Sequence, residues 1–326
     1  MKEYRIQKNE SGMTVIAYLS RVLPGAGRSL LYKQLRKKNI NLCGKKAEGS
    51  ERLKEGDTLQ VYFSDETIAK FESAQKPEDG ARAAGNIRVL FEDDDILAMD
   101  KAAGELSQQE KRGQISLNEE MLAYLEKAGA YSPTSPVKPS VCNRLDRNTS
   151  GIVLAGKSME GLHFLNNAIR SGDVNKYYLS VALGRIEKDI KAELYITKDE
   201  GERRAMVSEA SVSPDSKQAL TYFTPLGSFE NEEGWFTLLE ARLGTGRFHQ
   251  IRASLAHLGH PIAGDVKYGD KKINKRLSER FGIKRQLLHA ARVELPGYDA
   301  IESPIPEDFY WLPGIQEVCG DRPSRT

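Results

Sequence analysis

The chain reads as an α+β protein, a mostly antiparallel mixed sheet with flanking helices and loops, preceded by a small N-terminal α/β module. Three observations lead there. Stretches mixing aromatic, β-branched and alternating polar residues dominate the second half, at 177–183, 218–223 and 235–242. Their spacing is irregular, with no βαβ rhythm and no Gly-rich dinucleotide fingerprint, which argues against a doubly wound parallel sheet. Basic residues gather at the start: residues 1–64 hold 13 Lys and Arg against 6 Asp and Glu, a surplus of 7 in a chain of net charge +2, so the remainder is negative. A local basic excess suggests a phosphate-seeking module joined to a body that does something else.

Within residues 13–63, Val15, Ile16, Leu19, Val22 and Leu23 fall at helical spacing, and the run from Leu23 through Pro24 and Gly25 to Arg28 ends that helix. Ser29 is placed to cap a second helix carrying Leu31 and Leu35 inward, with Lys33, Arg36, Lys37 and Lys38 on or beside its exposed side. A short strand, Ile40-Asn41-Leu42, follows, then a turn at Cys43-Gly44-Lys45-Lys46 and an alternating strand after Gly56-Asp57. Residues 65–86 are polar, Pro- and Gly-bearing and without periodicity, and read as a linker. The expected organisation is therefore 1–64, a small basic domain; 65–86, a linker; and 87–326, the body. In the body, strands at 87–91 and 96–99 flank an acidic turn. A helix at 116–127 opens on a capping box of Ser116 and Glu119, and another, at 159–170, is capped by Ser158.

A length of 326 residues suits about two domains and a substantial core. No stretch approaches the roughly 18 apolar residues needed to span a bilayer, and the charged N-terminus has no apolar segment behind it, so a cytoplasmic protein away from membranes is expected. Cys43, Cys142 and Cys319 are scattered, without metal-ligand spacing, so neither a disulfide framework nor structural zinc is expected. No internal repeat is evident.

The most informative segment is Asn143-Arg144-Leu145-Asp146-Arg147-Asn148-Thr149-Ser150-Gly151, which feeds into the apolar run Ile152-Val153-Leu154-Ala155. An Asp in an Arg-rich turn is commonly a surface ion pair or an Asx-turn. It can also be a nucleophile or base, because nearby guanidiniums keep a partly buried carboxylate ionised. Local sequence leaves both readings standing. A second segment, Gly244-Thr245-Gly246-Arg247-Phe248-His249-Gln250-Ile251-Arg252, is followed by Leu258-Gly259-His260-Pro261-Ile262-Ala263-Gly264-Asp265 and Tyr268-Gly269.

Together these stretches resemble the RluA-type family of RNA pseudouridine synthases. They match its H-R-L-D-x-x-T-S-G, T-G-R-x-H-Q-I-R and G-H-P-x-x-G-D-x-x-Y-G motifs, with smaller matches at Lys176-Tyr177-Tyr178 and Leu288-His289-Ala290-Ala291 in the same order. The likeness runs from about residue 87 to 309. Two positions depart: Asn143 replaces the usual His, and Lys101-Ala102-Ala103-Gly104 replaces Lys-Pro-x-Gly. An amide can keep a structural role but not an acid–base one, and the lost proline frees a fixed φ.

The resemblance implies a pseudouridine synthase fold and an isomerase that needs no cofactor and no metal. It implies Asp146 as the catalytic nucleophile, Arg252 as the guanidinium against it, and Tyr178 stacking on the uracil or relaying its proton. Arg144, Arg147 and Arg247 are the expected substrate-binding arginines. The N-terminal pattern resembles the S4 RNA-binding domain, which makes Lys33, Arg36 and Lys37 RNA contacts. The expected partner is RNA, ribosomal rather than transfer RNA, bound by a monomer. His249, His260 and His289 are expected to be structural. The alternatives are a non-catalytic RNA-binding protein of the same fold, and a hydrolase with paired carboxylates; for the latter Asp265 is the candidate second acid, although its Gly-Asp setting reads as a turn.

Overall fold

A computed structural model describes residues 1–72, 83–111, 113–199 and 201–320. The chain divides into two compact units, one of Met1–Met99, Leu106–Arg144 and Val153–Asn167, the other of Asp100–Glu105, Leu145–Ile152 and the chain from Ala168 onward.

The first unit begins with β1 (Lys2–Arg5), α1 (Val15–Val22), α2 (Arg28–Arg36), β2 (Ile40–Leu42), β3 (Lys45–Lys46) and β4 (Thr58–Val61). The strands form an antiparallel sheet in the order β1-β4-β2-β3. Thr14 caps α1 by accepting from the Ala17 amide at 3.3 Å, and Val15, Ile16 and Leu19 turn inward. Ser29 does not cap α2. The Gly27 carbonyl already accepts from the Leu30 and Leu31 amides, so the helix starts at Arg28 and Ser29 lies inside its first turn. Leu31 and Leu35 are buried, while Lys33, Arg36 and Lys37 are exposed. The expected four-residue turn is tighter than read. Cys43 and Gly44 alone, both at positive φ, make the two-residue connection that suits a hairpin, and Lys45 and Lys46 belong to β3.

Residues 65–72, at the head of the expected linker, form α3 (Asp65–Glu72). Its acidic first turn complements the helix dipole, Ser64 accepts from the Thr67 amide, and Ile68 and Phe71 reach the same apolar core as α1 and α2. Residues 73–82, the middle of that linker, lie outside the described residues. The unit continues through β5 (Val89–Glu92), β6 (Ile96–Lys101), α4 (Leu117–Lys127), β7 (Ser140–Val141), β8 (Ser150–Gly156) and α5 (Met159–Ser171), with β6, β8 and α5 each shared between units along the chain. Ser158 accepts from the Gly161 amide at the start of α5, as expected of a cap. The capping box at α4 does not form: the Ser116 hydroxyl donates to the Glu119 side chain and accepts from no amide of the first turn.

The second unit comprises β9 (Asn175–Leu183), β10 (Ile190–Asp199), β11 (Arg204–Ser208), β12 (Lys217–Asn231), β13 (Gly234–Leu243), α6 (Gln250–His257), α7 (Lys271–Phe281), β14 (Leu288–Glu294), β15 (Ile301–Glu302) and α8 (Gln316–Cys319). Its sheet runs β11-β10-β12-β13-β9-β14, antiparallel throughout, and β14 then meets the start of β8 in parallel. The mostly antiparallel mixed sheet read from the sequence is therefore present. Strand β12 is longer than the 218–223 expected, because its hairpin with β13 continues past a bulge at Pro225/Gly227. Phe229 and Phe236 stack at 5.7 Å beneath this hairpin, in a core shared with Val181, Leu238, Leu277 and Phe309.

One contact fixes where the segment after Asp146 lies. In the parallel pairing Ala290↔Gly151, Gly151 adopts φ +109°, and a Cβ there would fall 2.2 Å from the Ala290 carbonyl oxygen. Backbone meets backbone, so no rotamer relieves the clash. Gly151→Ala is expected to destabilise the protein by more than about 3 kcal/mol, read as a lowered midpoint in denaturant.

Candidate active site

The loop at 146–151 is held mainly through its backbone. Lys101, fully buried, donates from Nζ to the carbonyls of Ala102 (2.8 Å), Glu105 (3.0 Å) and Arg147 (3.1 Å). The Gly104 amide also donates to the Arg147 carbonyl, and Arg147 Nε returns a bond to the Gly104 carbonyl at 2.9 Å. Arg285, paired bidentately with Asp308, reaches the Asn148 carbonyl at 3.2 Å. Ser150 Oγ lies 3.0 Å from His289 Nδ1. Burial pushes the Lys101 amine down to about 8, against the opposing pull of Glu105 and, less strongly, Asp146.

Asp146 projects from this frame with about a quarter of its side chain open to solvent. Its Oδ2 accepts from Arg252 Nη1 at 2.8 Å. Arg252, on the buried face of α6, gives Nε and Nη2 to the two oxygens of Asp265 at 2.7 and 2.9 Å, a bidentate pair that leaves Nη1 aimed at Asp146. Burial works against the Arg252 charge, but the hydrogen bonds and charges of Asp265 and Asp146 outweigh it and raise its pKa. Asp265 is fully buried. Desolvation would raise its pKa, yet Arg252 and the amides of Lys267 and Tyr268 bring it below the usual carboxylate range. Asp265 does sit in a turn, as read, but its carboxylate is committed to Arg252, so it is not a second acid free to work with Asp146.

Strand β9 supplies Tyr178, which pairs across the sheet with Ala290, the residue opposite Gly151. Burial, then the Asp146 charge, raise its phenol pKa far above neutrality, so the ring stays uncharged. Asp146, Arg252 and Tyr178 thus share one unit. Arg147 and Arg247 are exposed in the same unit, Arg247 Nε bonding the Gln218 carbonyl at 2.9 Å. Arg144, Lys33, Arg36 and Lys37 are exposed in the first unit. Asn143, also there, accepts from the Leu154 amide at 2.7 Å, the structural role open to an amide. Burial pushes the Cys142 thiol up to about 11, which removes it as a nucleophile at neutral pH.

His249, expected to be structural, lies beside Asp146. Its backbone is left-handed, φ +52°, immediately before α6, and its ring stacks on Phe248 at 3.7 Å. The Tyr268 hydroxyl accepts from the Ala205 amide and lies 2.8 Å from His249 Nδ1, which leaves Nε2 as the other ring nitrogen. That nitrogen faces Asp146 Oδ2 at 3.7 Å. Burial pushes the imidazole down to about 4, against the pull of Asp146. The folded state resists a proton that the unfolded chain accepts below about 6.5. Stability is therefore expected to be full above pH 6.5 and to decline by up to about 3 kcal/mol toward pH 4. Denaturant titrations across that window check this, and the His249 contribution to the slope should vanish in His249→Asn. Gln250 completes the segment: Oε1 accepts from Thr245 Oγ1 and the Arg247 amide, and Nε2 donates to the Leu220 carbonyl and Thr221 Oγ1.

Among the described residues no helix is long and apolar enough to cross a membrane. Two human structures of RNA pseudouridylate synthase domain-containing proteins share the fold. The domain-containing 4 protein aligns with TM-score 0.55 at 21% identity over 69% of this chain and 90% of that one, and the domain-containing 1 protein with 0.54 at 21% over 72% and 87%. The fold class is thus that of the pseudouridine synthases. In sequence, the model of the RNA pseudouridylate synthase family matches residues 95–257. The chain is 31% identical to the ribosomal large subunit pseudouridine synthase C of Haemophilus influenzae over 89% of its own length and 85% of that protein, and 30% identical to the Escherichia coli K12 protein of the same name over 94% of each. The chain belongs to the RluA-type RNA pseudouridylate synthase family, and the protein is an isomerase.

Proposed function

We propose that the protein converts uridine to pseudouridine in large-subunit ribosomal RNA, with Asp146 as nucleophile. The carrying observation is the array in which Asp265 locks Arg252 and Arg252 orients Asp146. The printed names of the bacterial relatives support the choice of RNA. The N1–C1′ bond breaks, the detached uracil turns while it is held, and a C5–C1′ bond forms. The C5 proton is lost and a proton returns at N1, so no atom is gained. Asp146 bonds C1′ as N1 departs and is released when C5 bonds C1′, and Arg252 keeps its carboxylate aligned. Tyr178 stacks on the uracil, a role suited to a phenol that stays protonated. A base within folded RNA cannot be reached in place, so it flips out first. Arg144 fills the vacated stack or holds a phosphate, and Arg147 and Arg247 contact the backbone.

Incubation with unmodified large-subunit rRNA, followed by pseudouridine mapping, should show discrete modified positions. Release of free uracil would instead mean hydrolysis, and the absence of product would overturn the proposal. Residues 1–64 act in this reading as an S4-like RNA-binding domain. The triple substitution Lys33→Gln, Arg36→Gln and Lys37→Gln should lower the salt slope of RNA binding by about 2 to 3 with kcat maintained; an unchanged slope would remove that module from the interface.

A further inference from the structure

We infer that Asn274, on helix α7 and outside the segments matched to family motifs, is a positioning residue for the reaction, setting Arg252, and through it Asp146, by clamping the turn that carries Asp265. This rests on Asp146 acting with Arg252 as proposed above.

The turn at 264–269 presents two side chains to the site: Asp265, which grips Arg252, and Tyr268, which bonds His249. Both sides of the Asn274 amide are committed to this turn. Oδ1 accepts from the Gly264 amide at 2.9 Å, and Nδ2 donates to the Asp265 carbonyl at 2.9 Å. The two bonds bracket the peptide unit from which the Asp265 side chain springs. The turn is shaped to admit this amide. A Cβ on Gly269 would lie 2.5 Å from Asn274 Nδ2 and 2.4 Å from the Asp265 carbonyl oxygen. The absent side chain at 269 is the space the amide fills.

Helix α7 is itself well seated. Asp270 caps it by accepting from the Lys272 and Ile273 amides at 2.8 and 2.9 Å, Leu277 is buried in the core, and Arg276 and Arg280 both pair with Glu233. A rigid helix thus passes its position through one amide to Asp265, then to the guanidinium, then to Asp146. A displacement of about 1 Å at a reacting group can cost on the order of a hundredfold in rate.

The test compares Asn274→Asp, which keeps the acceptor for Gly264 but loses the donor to the Asp265 carbonyl, with Asn274→Ala and with Lys275→Gln on the exposed side of the same helix. Expected are a fall in kcat of about 10- to 100-fold with KM for RNA within about twofold, and a shifted or broadened NMR signal of the Arg252 Nε–H, in both Asn274 variants but not in Lys275→Gln. The NMR signal needs no turnover, so it tests Asn274 even if the wild-type protein makes no pseudouridine, a result that would count against the proposed function instead. An Arg252 signal unmoved in a folded Asn274 variant would overturn the inference, whether or not kcat falls. So would an unchanged kcat in a folded variant of an active enzyme. Should Asn274→Ala not fold, Asn274→Asp carries both readouts.

Discussion

Asp146→Asn should abolish pseudouridine formation, lowering kcat by at least about 10⁴-fold while leaving RNA affinity and thermal stability near wild type. The amide matches the carboxylate in size and still accepts from Arg252 Nη1, so the loop held by Lys101 and Arg285 has no cause to move. What is lost is the negative oxygen able to attack carbon. Because about a quarter of the side chain faces solvent, removing its charge leaves no fully buried cation without a counterion: Arg252 keeps Asp265. Single-turnover assays with mapped rRNA and filter binding check both halves. Substantial remaining activity would transfer the nucleophile elsewhere and unseat the proposed mechanism.

Asp265→Asn should do the opposite, damaging stability as well as rate. Arg252 is buried and loses its bidentate counterion, keeping only the partly exposed Asp146, so the cost is about 2 to 3 kcal/mol, below the roughly 3 to 5 of a buried charge left with no partner. The denaturant midpoint should fall accordingly, and kcat with it, since Nη1 no longer has a fixed direction. A double variant, Arg252→Met with Asp265→Leu, removes both charges and should recover much of the stability without recovering activity. That outcome separates the electrostatic cost of the pair from its use in aligning Asp146. A stable Asp265→Asn protein would mean that Arg252 finds another acceptor.

The comparison of these two carboxylates explains what the sequence could convey. Asp146, Arg252 and Tyr178 are spread over more than a hundred residues, yet ordered motifs group them, and the geometry brings them into one unit. Asp265 is legible as a turn residue because Gly-Asp is turn chemistry. Its burial is not legible, since that depends on the fold bringing it against Arg252. The available clue is Arg252 itself, because a guanidinium with five donors in an interior needs more than one carboxylate. The Tyr268–His249 bond is likewise invisible, arising from a left-handed residue that no local pattern announces. Strand β10 alternates with charged residues and pairs on both sides, so its partners decide it rather than its composition. At α2 and α4 the elements are legible but the capping atoms are not: the Gly27 carbonyl sets the first turn of α2, and at α4 the Ser116 hydroxyl turns to the Glu119 carboxylate.

Lys101 carries a consequence for how much variation the site can absorb. Two of its bonds fix its own turn at Ala102 and Glu105, and the third, with those of Gly104 and Arg285, grips the loop after Asp146 by peptide carbonyls, groups every residue possesses. A loop anchored this way makes few demands on its own side chains. Ala102 can stand where proline is usual because an ammonium, rather than a pyrrolidine ring, sets the path. The same economy leaves Asn148, held through its carbonyl, open to substitution without disturbing the carboxylate two residues before it, whereas Arg147 also ties its side chain to the Gly104 carbonyl.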